Sequence, residues 1–380
     1  MCIDGLALVS LCGTAVAEDR PRLRDLGVSI GVLPPGKWNA ITDVDGVRVG
    51  HRTIVEGDSI RTGVTVILPH GGDVFRRKAP AGVWVGNGFG KAAGFLQVRE
   101  LGNLETPIAL TNTLAVGAAI EGLVSWTLSR PGNEEVRSVN AVVGETNDGR
   151  LNDIRARRVT AKDVIAAIET AAAGPVAEGS VGAGTGTVAF GWKGGIGTSS
   201  RALPEKLGGW TVGALVQSNY GGVLAIDGVR IGELLGRYSF RSEIQGIAAE
   251  PEGGSCMIVL ATDAPLSSRN LERLARRGLF GMAKTGSFMD NGSGDFVIAF
   301  STKNLEEHGP TARTRPVEEV ANDFMSPLFL AALEAVEEAV GNSLTKATTT
   351  AGFRGRRVEA LPIDRLRELL TKRPTPSARE

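Results

Sequence analysis

One serine in this chain stands between a glycine pair and a buried-strand pattern. The segment PEGGSCMIVLATD runs Gly253-Gly254-Ser255 straight into the apolar stretch from Cys256 to Asp263. Two glycines let the backbone hold a strained, exposed peptide bond, and a buried strand fixes whatever follows it. That is the layout of a serine that becomes a chain N-terminus and acts as a nucleophile, and equally that of an ordinary loop entering a strand. Ser293 and Asp295 in NGSGD, Asn219 in QSNYG and Glu145 in ETNDG are further polar residues set beside turns. By type alone the first three also read as turn-stabilising groups and Glu145 as a surface charge.

Other chemistries have weaker footing. His51, His70 and His308 are far apart and lack ligand spacing, which argues against a zinc site or a histidine-based triad; no metal or other cofactor is expected. The cysteines, Cys2, Cys12 and Cys256, are too few and odd in number for a disulfide framework. The glycine-dense stretch from Gly179 to Arg201 contains loops that look like phosphate cradles. No Gly-Lys-Ser/Thr follows them and no x-x-Gly opens a helix, so neither the P-loop nor the dinucleotide motif is met. Tight turns and close backbone packing are the simpler reading; backbone N–H groups facing an oxyanion are the functional one.

These residues need a frame. Lys+Arg and Asp+Glu both total 42 and no basic run is interleaved with aromatics, so no nucleic-acid partner is expected. A hydrophobic share of 42% supports a large core. The division expected is a leader and flexible N-terminus over 1–24, one catalytic domain over 25–371 and a flexible tail over 372–380. Leu6 to Ala17 is apolar and ends in Ala15-Val16-Ala17, the small-x-small form of a signal-peptidase site, although Asp4 and no Lys or Arg precede it. A periplasmic or secreted location is favoured, a cytoplasmic one the alternative. No later apolar run approaches the ~18 residues of a membrane span.

Strand patterns fall at Gly63 to Pro69, Ala81 to Asn87, Thr211 to Asn219, Cys256 to Asp263 and Asp295 to Thr302, with a hairpin signal at Asp45-Gly46. Helices are expected between Asn112 and Ser129, with Gly117 and Gly122 closely packed, and from Thr160 to near Gly174 behind a Thr160/Asp163 capping box. Two more should run from a Ser268 cap to a stop at Gly278, and from Ser326-Pro327 to a stop at Gly341, with Phe329, Leu333, Val336 and Val340 as a stripe. This block-wise alternation favours a layered sandwich over a doubly wound nucleotide fold.

The segments GGSCMIVLATDAPL, RRGLFGMAKTGS and NGSGDFVIAFST closely resemble the family of L-aminopeptidase/D-esterases and β-peptidyl aminopeptidases. NAITDVDGVRVGH, GNGFGK, LETPIALTNTLAVG, GETNDGRLNDI, GTGTVAFGWKGGIGTSSR and VGALVQSNYG extend the likeness upstream, in order, from about Asp25 to Thr302. The resemblance implies an α+β fold, a four-layer αββα sandwich like that of N-terminal nucleophile hydrolases, with the connectivity shared with ornithine acetyltransferase. It implies a precursor that cuts itself between Gly254 and Ser255, and an oligomer built from several αβ units. The expected activity is release of N-terminal amino acids from peptides, amides or esters. Ser255 matches the nucleophile, Ser293 and Asp295 the pair beside it, Asn219 the oxyanion-hole amide and Glu145 the carboxylate that receives the substrate's amino group. Some relatives place a tyrosine near that carboxylate as an extra oxyanion donor; this chain has Thr146. Alternatives on the same scaffold are acyl transfer of the ornithine acetyltransferase type, which uses a threonine nucleophile, and a non-catalytic binding protein.

Overall fold

The computed structural model describes residues 20–246, 254–309 and 312–371. Cys2, Cys12, the apolar run ending at Ala17, Gly253 and the segment from Lys372 lie outside them.

The first sheet is formed by β1 (Arg48–Glu56), β2 (Ile60–Leu68), β4 (Ile108–Asn112) and β5 (Val142–Thr146), in the order β1-β2-β4-β5. The second is built on β3 (Arg77–Gly88), β9 (Gly294–Ser301), β8 (Ser255–Thr262), β7 (Thr211–Asn219) and β6 (Gly195–Ala202), in the order β3-β9-β8-β7-β6. Most neighbours are antiparallel. The two parallel pairs, β4 with β5 and β8 with β9, each need a crossover. The crossovers contain α2 (Val116–Leu128) and α4 (Ser268–Lys284), so each sheet carries one βαβ unit.

The strands are apolar on both faces because both faces are covered. Val64, Val66 and Leu68 of β2 enter one core with Leu123 of α2 and Val164 of α3 (Ala161–Glu169). Ile67, Leu110 and Val142 meet Leu215, Met257, Val259 and Ile298 in a second core between the sheets. Cys256, Ile258 and Leu260 face a third, filled from α4 and from α5 (Ser326–Thr345) by Leu274, Leu279, Val336 and Val340. Three cores between four layers make the expected αββα sandwich. A short helix, α1 (Phe95–Leu101), follows β3, and α6 (Ile363–Thr371), amphipathic with Leu366 and Leu370 buried, closes the described chain.

Several local expectations change. Asp45-Gly46 is a turn, but Ile41–Asp43 before it is a 3-10 turn rather than a strand, pinned by the Ile41 N–H donating to Thr198 Oγ1 at 2.8 Å. The hairpin turn lies between Glu56 and Ile60 instead. The Thr160/Asp163 capping box is present, while its helix ends at Glu169 rather than near Gly174. Helix α4 is capped by Ser267, not Ser268, and runs through Gly278 to Lys284; α5 runs through Gly341 to Thr345. In both, the glycine is a contact surface rather than a stop. A Cβ on Gly341 would fall 2.2 Å from Leu23 Cδ1, and Gly278 faces Val297, Leu260 and Ile258. Gly122 is packed against Val164 as expected, but Gly117 faces open space.

Among the described residues, those ahead of Asp25 are already packed. Arg20 donates to the Thr345 and Leu361 carbonyls, and Leu23 is buried against α5. Arg201 is fully buried below this segment, with Glu334 at 3.0 Å and Glu338 at 2.8 Å; Glu338 also takes Arg24 at 2.8 Å. Two guanidinium groups thus share one carboxylate, which keeps the buried charges compensated.

Helix α5 lies directly on β6 because Gly197 has no side chain: a Cβ there would sit 1.9 Å from the Ala339 carbonyl oxygen. Gly197→Ala is therefore expected to destabilise at or above the top of the ~1–3 kcal/mol range of core overpacking. Gly117→Ala, on the open face of α2, should instead stabilise by about 0.5 kcal/mol through helix propensity. Urea denaturation of both variants checks the pair, and equal effects would contradict the packing.

Candidate active site

Ser255 opens β8 and sits in one row with residues of both neighbouring strands. It is paired with Asn219, the last residue of β7, and with Gly294, the first of β9. The Ser255 hydroxyl donates to the Gly254 carbonyl oxygen at 2.6 Å, and the Gly294 N–H donates to that same oxygen at 3.3 Å. The carbonyl before the serine therefore has two donors on it, and all of these atoms are held by strand ends.

Ser293 and Asp295 approach from the other side. Alternation along β9 turns Asp295, Val297 and Ala299 toward the α4 and α5 layer, the side that Cys256 also faces. The Ser293 hydroxyl donates to Asp295 Oδ1 at 2.8 Å and lies 3.2 Å from where a Gly254 Cβ would be. Ser293 thus stands beside the Gly254 backbone. Asp295 Oδ2 is buried with no hydrogen-bond partner among the described residues. Burial pushes the Asp295 carboxyl up to about 7, against the opposing effects of the Ser293 hydroxyl bond and the Cys256 backbone N–H and with a further push from Asp290.

Asn219 Oδ1 accepts the Val188 N–H at 2.9 Å. With the oxygen held there, the NH2 end is the part left for the cavity that Asn219 lines. Glu145 is buried in the facing sheet, at the end of β5. Its Oε1 accepts the Lys91 N–H at 3.0 Å, its Oε2 accepts the Thr113 hydroxyl, and Lys91 Nζ stands 4.0 Å away. The loop GNGFGK connects the two halves of the site: the Phe89 N–H donates to the Ser293 carbonyl at 3.2 Å, and Lys91 reaches Glu145. Residue type and spacing do not single out Lys91 and Thr113 as site residues, although both lie in motifs that match the family. Thr146 turns away, its hydroxyl accepting Gln217 Nε2 at 2.8 Å.

A cavity of about 320 Å³ joins these groups, with Ser255, Asn219 and Glu145 all in its lining beside Gly254, Tyr220 and Phe89. Ser293 and Asp295 stand behind the Gly254–Ser255 bond. The histidines lie elsewhere: His51 bonds Thr65, His70 bonds the Arg77 carbonyl, and His308 packs on Phe75. Cys256 is buried on the far face of β8, where desolvation raises its thiol pKa well above the ordinary value.

The αββα frame thus presents a serine at a strand head, between an amide and a carboxylate. Residues 39–358 match Peptidase family S58. The chain is 40% identical over 386 aligned positions to the beta-peptidyl aminopeptidase BapA of Sphingosinicella microcystinivorans, covering 97% of this chain and 96% of that protein. A beta-aminopeptidase from Burkholderia sp. superposes with a TM-score of 0.85 at 45% identity, covering 93% of this chain and all of that one. The L-aminopeptidase D-Ala-esterase/amidase of Ochrobactrum anthropi, described as a prototype for the serine aminopeptidases, gives 0.85 at 38% identity, covering 93% and 99%. This chain belongs to peptidase family S58 and is a serine aminopeptidase.

The Asp295 carboxyl carries a pH signature. Its value of about 7 in the folded chain lies above the ordinary value of 3.8, so the folded state keeps a proton that the unfolded state releases. Stability linked to this group is therefore present at acidic pH and lost as pH rises through the interval between those values. In an uncut Ser255→Ala background, Asp295→Asn should flatten that decline, read as the difference in unfolding free energy at pH 5 and pH 8. Identical pH dependence in the two proteins would mean that Asp295 does not titrate in this window.

Proposed function

We propose that the chain cuts its own Gly254–Ser255 bond and then uses Ser255, as a new N-terminus, to release N-terminal amino acids from short peptides, amides or esters. The observation that carries this is the Ser255 hydroxyl 2.6 Å from the Gly254 carbonyl oxygen, on a carbonyl already polarised by the Gly294 N–H. In the cut, Oγ bonds to the Gly254 carbonyl carbon, the Ser255 nitrogen takes a proton and leaves, and an ester remains. Water then hydrolyses the ester, giving a Gly254 carboxylate, the Ser255 hydroxyl and a free α-amine. An α-amine has a pKa of about 7.7–8.0, which suits it to take the serine proton near neutral pH without a histidine. The ammonium form would lie beside Ser293 and the open oxygen of Asp295. The Asn219 amide would face the developing oxyanion.

Glu145 receives the substrate's amino group in this reading, which makes the enzyme select free N-termini. Assembly from several αβ units and a periplasmic or secreted location belong to the same proposal. The first rests on the family resemblance and the second on the Leu6 to Ala17 run.

Intact-mass measurement tests maturation: a fragment beginning Ser-Cys-Met-Ile is expected, and Ser255→Ala should stay a single chain. Cleavage of Ser255→Ala at the same bond would overturn the nucleophile assignment. For the amino-group site, Glu145→Gln should raise KM by the ~1.5–3 kcal/mol of a lost charge-assisted bond, roughly tenfold to a hundredfold. Acetylated peptides should be poor substrates, and turnover equal to that of free peptides would remove Glu145 from this role.

A further inference from the structure

We infer that Lys193 is a positioning residue for the Asn219 amide, acting from beneath the small hairpin that holds it. The inference rests on the reading of Asn219 as oxyanion donor. The hairpin pairs Val188–Ala189 with Trp192–Lys193 and turns at Phe190 and Gly191, both at positive φ (52° and 78°). It meets the end of β7 twice: the Val188 N–H donates to Asn219 Oδ1 at 2.9 Å, and the Phe190 N–H to the Tyr220 carbonyl at 2.7 Å. The orientation of the Asn219 amide is thus set by where the hairpin sits.

Lys193 sets the base of that hairpin. Its side chain is wholly buried, and its ammonium donates to the Gly184 carbonyl before the hairpin and to the Gly194 carbonyl after it, both at 2.7 Å. Thr187 completes the closure, its hydroxyl donating to Gly184 at 3.0 Å and its carbonyl accepting the Gly194 N–H at 3.1 Å. Asp148, buried and bonded to Asn152 at 2.9 Å, is the acidic partner that acts electrostatically on Lys193, its own carboxyl raised by burial. A buried cation is costly, and an apolar side chain would fill the space more cheaply. What the ammonium adds is two directed bonds from one point, across the two limbs that carry Val188. Desolvation lowers the Lys193 pKa to about 7, and the neutral amine still donates to two carbonyls.

Lys193→Met keeps the length and removes the donors. Turnover of an amino-acid p-nitroanilide is measured on the processed fraction, confirmed by mass, so slow maturation is not counted as slow catalysis. Asn219→Ala should lower kcat by roughly 10²–10³-fold, as expected for one oxyanion donor. Lys193→Met should lower kcat by about 10–100-fold with KM within about threefold, because only transition-state contacts shift. The double variant should be no slower than Asn219→Ala alone, and Lys193→Gln, with two N–H donors, should recover part of the loss. Parental kcat in Lys193→Met, or losses that multiply in the double variant, would overturn the inference. Parental kcat in Asn219→Ala would instead overturn the oxyanion reading. If Lys193→Met shows no cooperative melt, Lys193→Gln takes its place in the cycle: a kcat loss that does not multiply with Asn219→Ala supports the inference, and parental kcat or a multiplying loss overturns it.

Discussion

The side chain of Met257 occupies the space that a Cβ on Gly144 would need, with its Cε 2.2 Å from that position. This contact crosses from one sheet to the other, and both residues are neighbours of the site: Met257 lies two beyond Ser255, and Gly144 one before Glu145. Gln217, two before Asn219, makes the companion contact. Its Nε2 shares two hydrogens among the Thr111 carbonyl, the Thr146 hydroxyl and the Ala183 carbonyl at 2.8–3.1 Å, while its Oε1 has no partner among the described residues. One apolar insertion and one buried amide thus fix the separation of the two sheets beside the residues that must cooperate across it. Buried amides of this kind are held in one arrangement because an unpaired N–H in the core is costly.

Register along the strands is the second requirement. Strands apolar on both faces gain no register from the hydrophobic pattern, since a one-residue slip exposes nothing polar. Glycines at backbone contacts supply it here. Gly197 admits Ala339, Gly213 admits Ile41 and Gly82 admits the Glu272 N–H, each at less than 3 Å from a hypothetical Cβ. A slip of β3, β6 or β7 would put a side chain into those contacts. The place of Asn219 at the end of β7 follows from that indexing, and its pairing through Ser255 to Gly294 completes the row.

The two carboxylates at the site illustrate how neighbours assign different work to one functional group. Glu145 has both oxygens occupied, by a backbone N–H and a hydroxyl, and an exposed lysine close by. Asp295 has one oxygen occupied and one bare, on the buried side of its strand. The first environment fixes the carboxylate in one orientation at the wall of the cavity. The second raises the cost of charge until a donor arrives, and the α-amine proposed for Ser255 would be such a donor.

Much of this is legible in the sequence because local polarity patterns mark strand ends. Thr211 to Asn219 is the strand read from its residues, and Ser255 heads the run from Cys256 as expected. Glycine is the ambiguous letter. Gly278 and Gly341 read as helix stops, since a helix end and a close helix contact ask the same thing of a residue, the absence of a Cβ. Only the partner distinguishes them, and Leu23 is far from Gly341 in sequence. The same limit hides Lys91 and Thr113, whose meaning depends on a carboxylate that the parallel pairing of β4 and β5 brings to them. Facing is legible only in part. Parity separates Cys256 from Ser255 on one strand, but placing Asp295 behind the Gly254–Ser255 bond requires the register of β8 on β9, which neither segment carries by itself. A thiol adjacent in sequence to the nucleophile is therefore directed into a helix-covered core, while a carboxylate about forty residues away, on the order of one βαβ unit, reaches the backbone of the bond before Ser255.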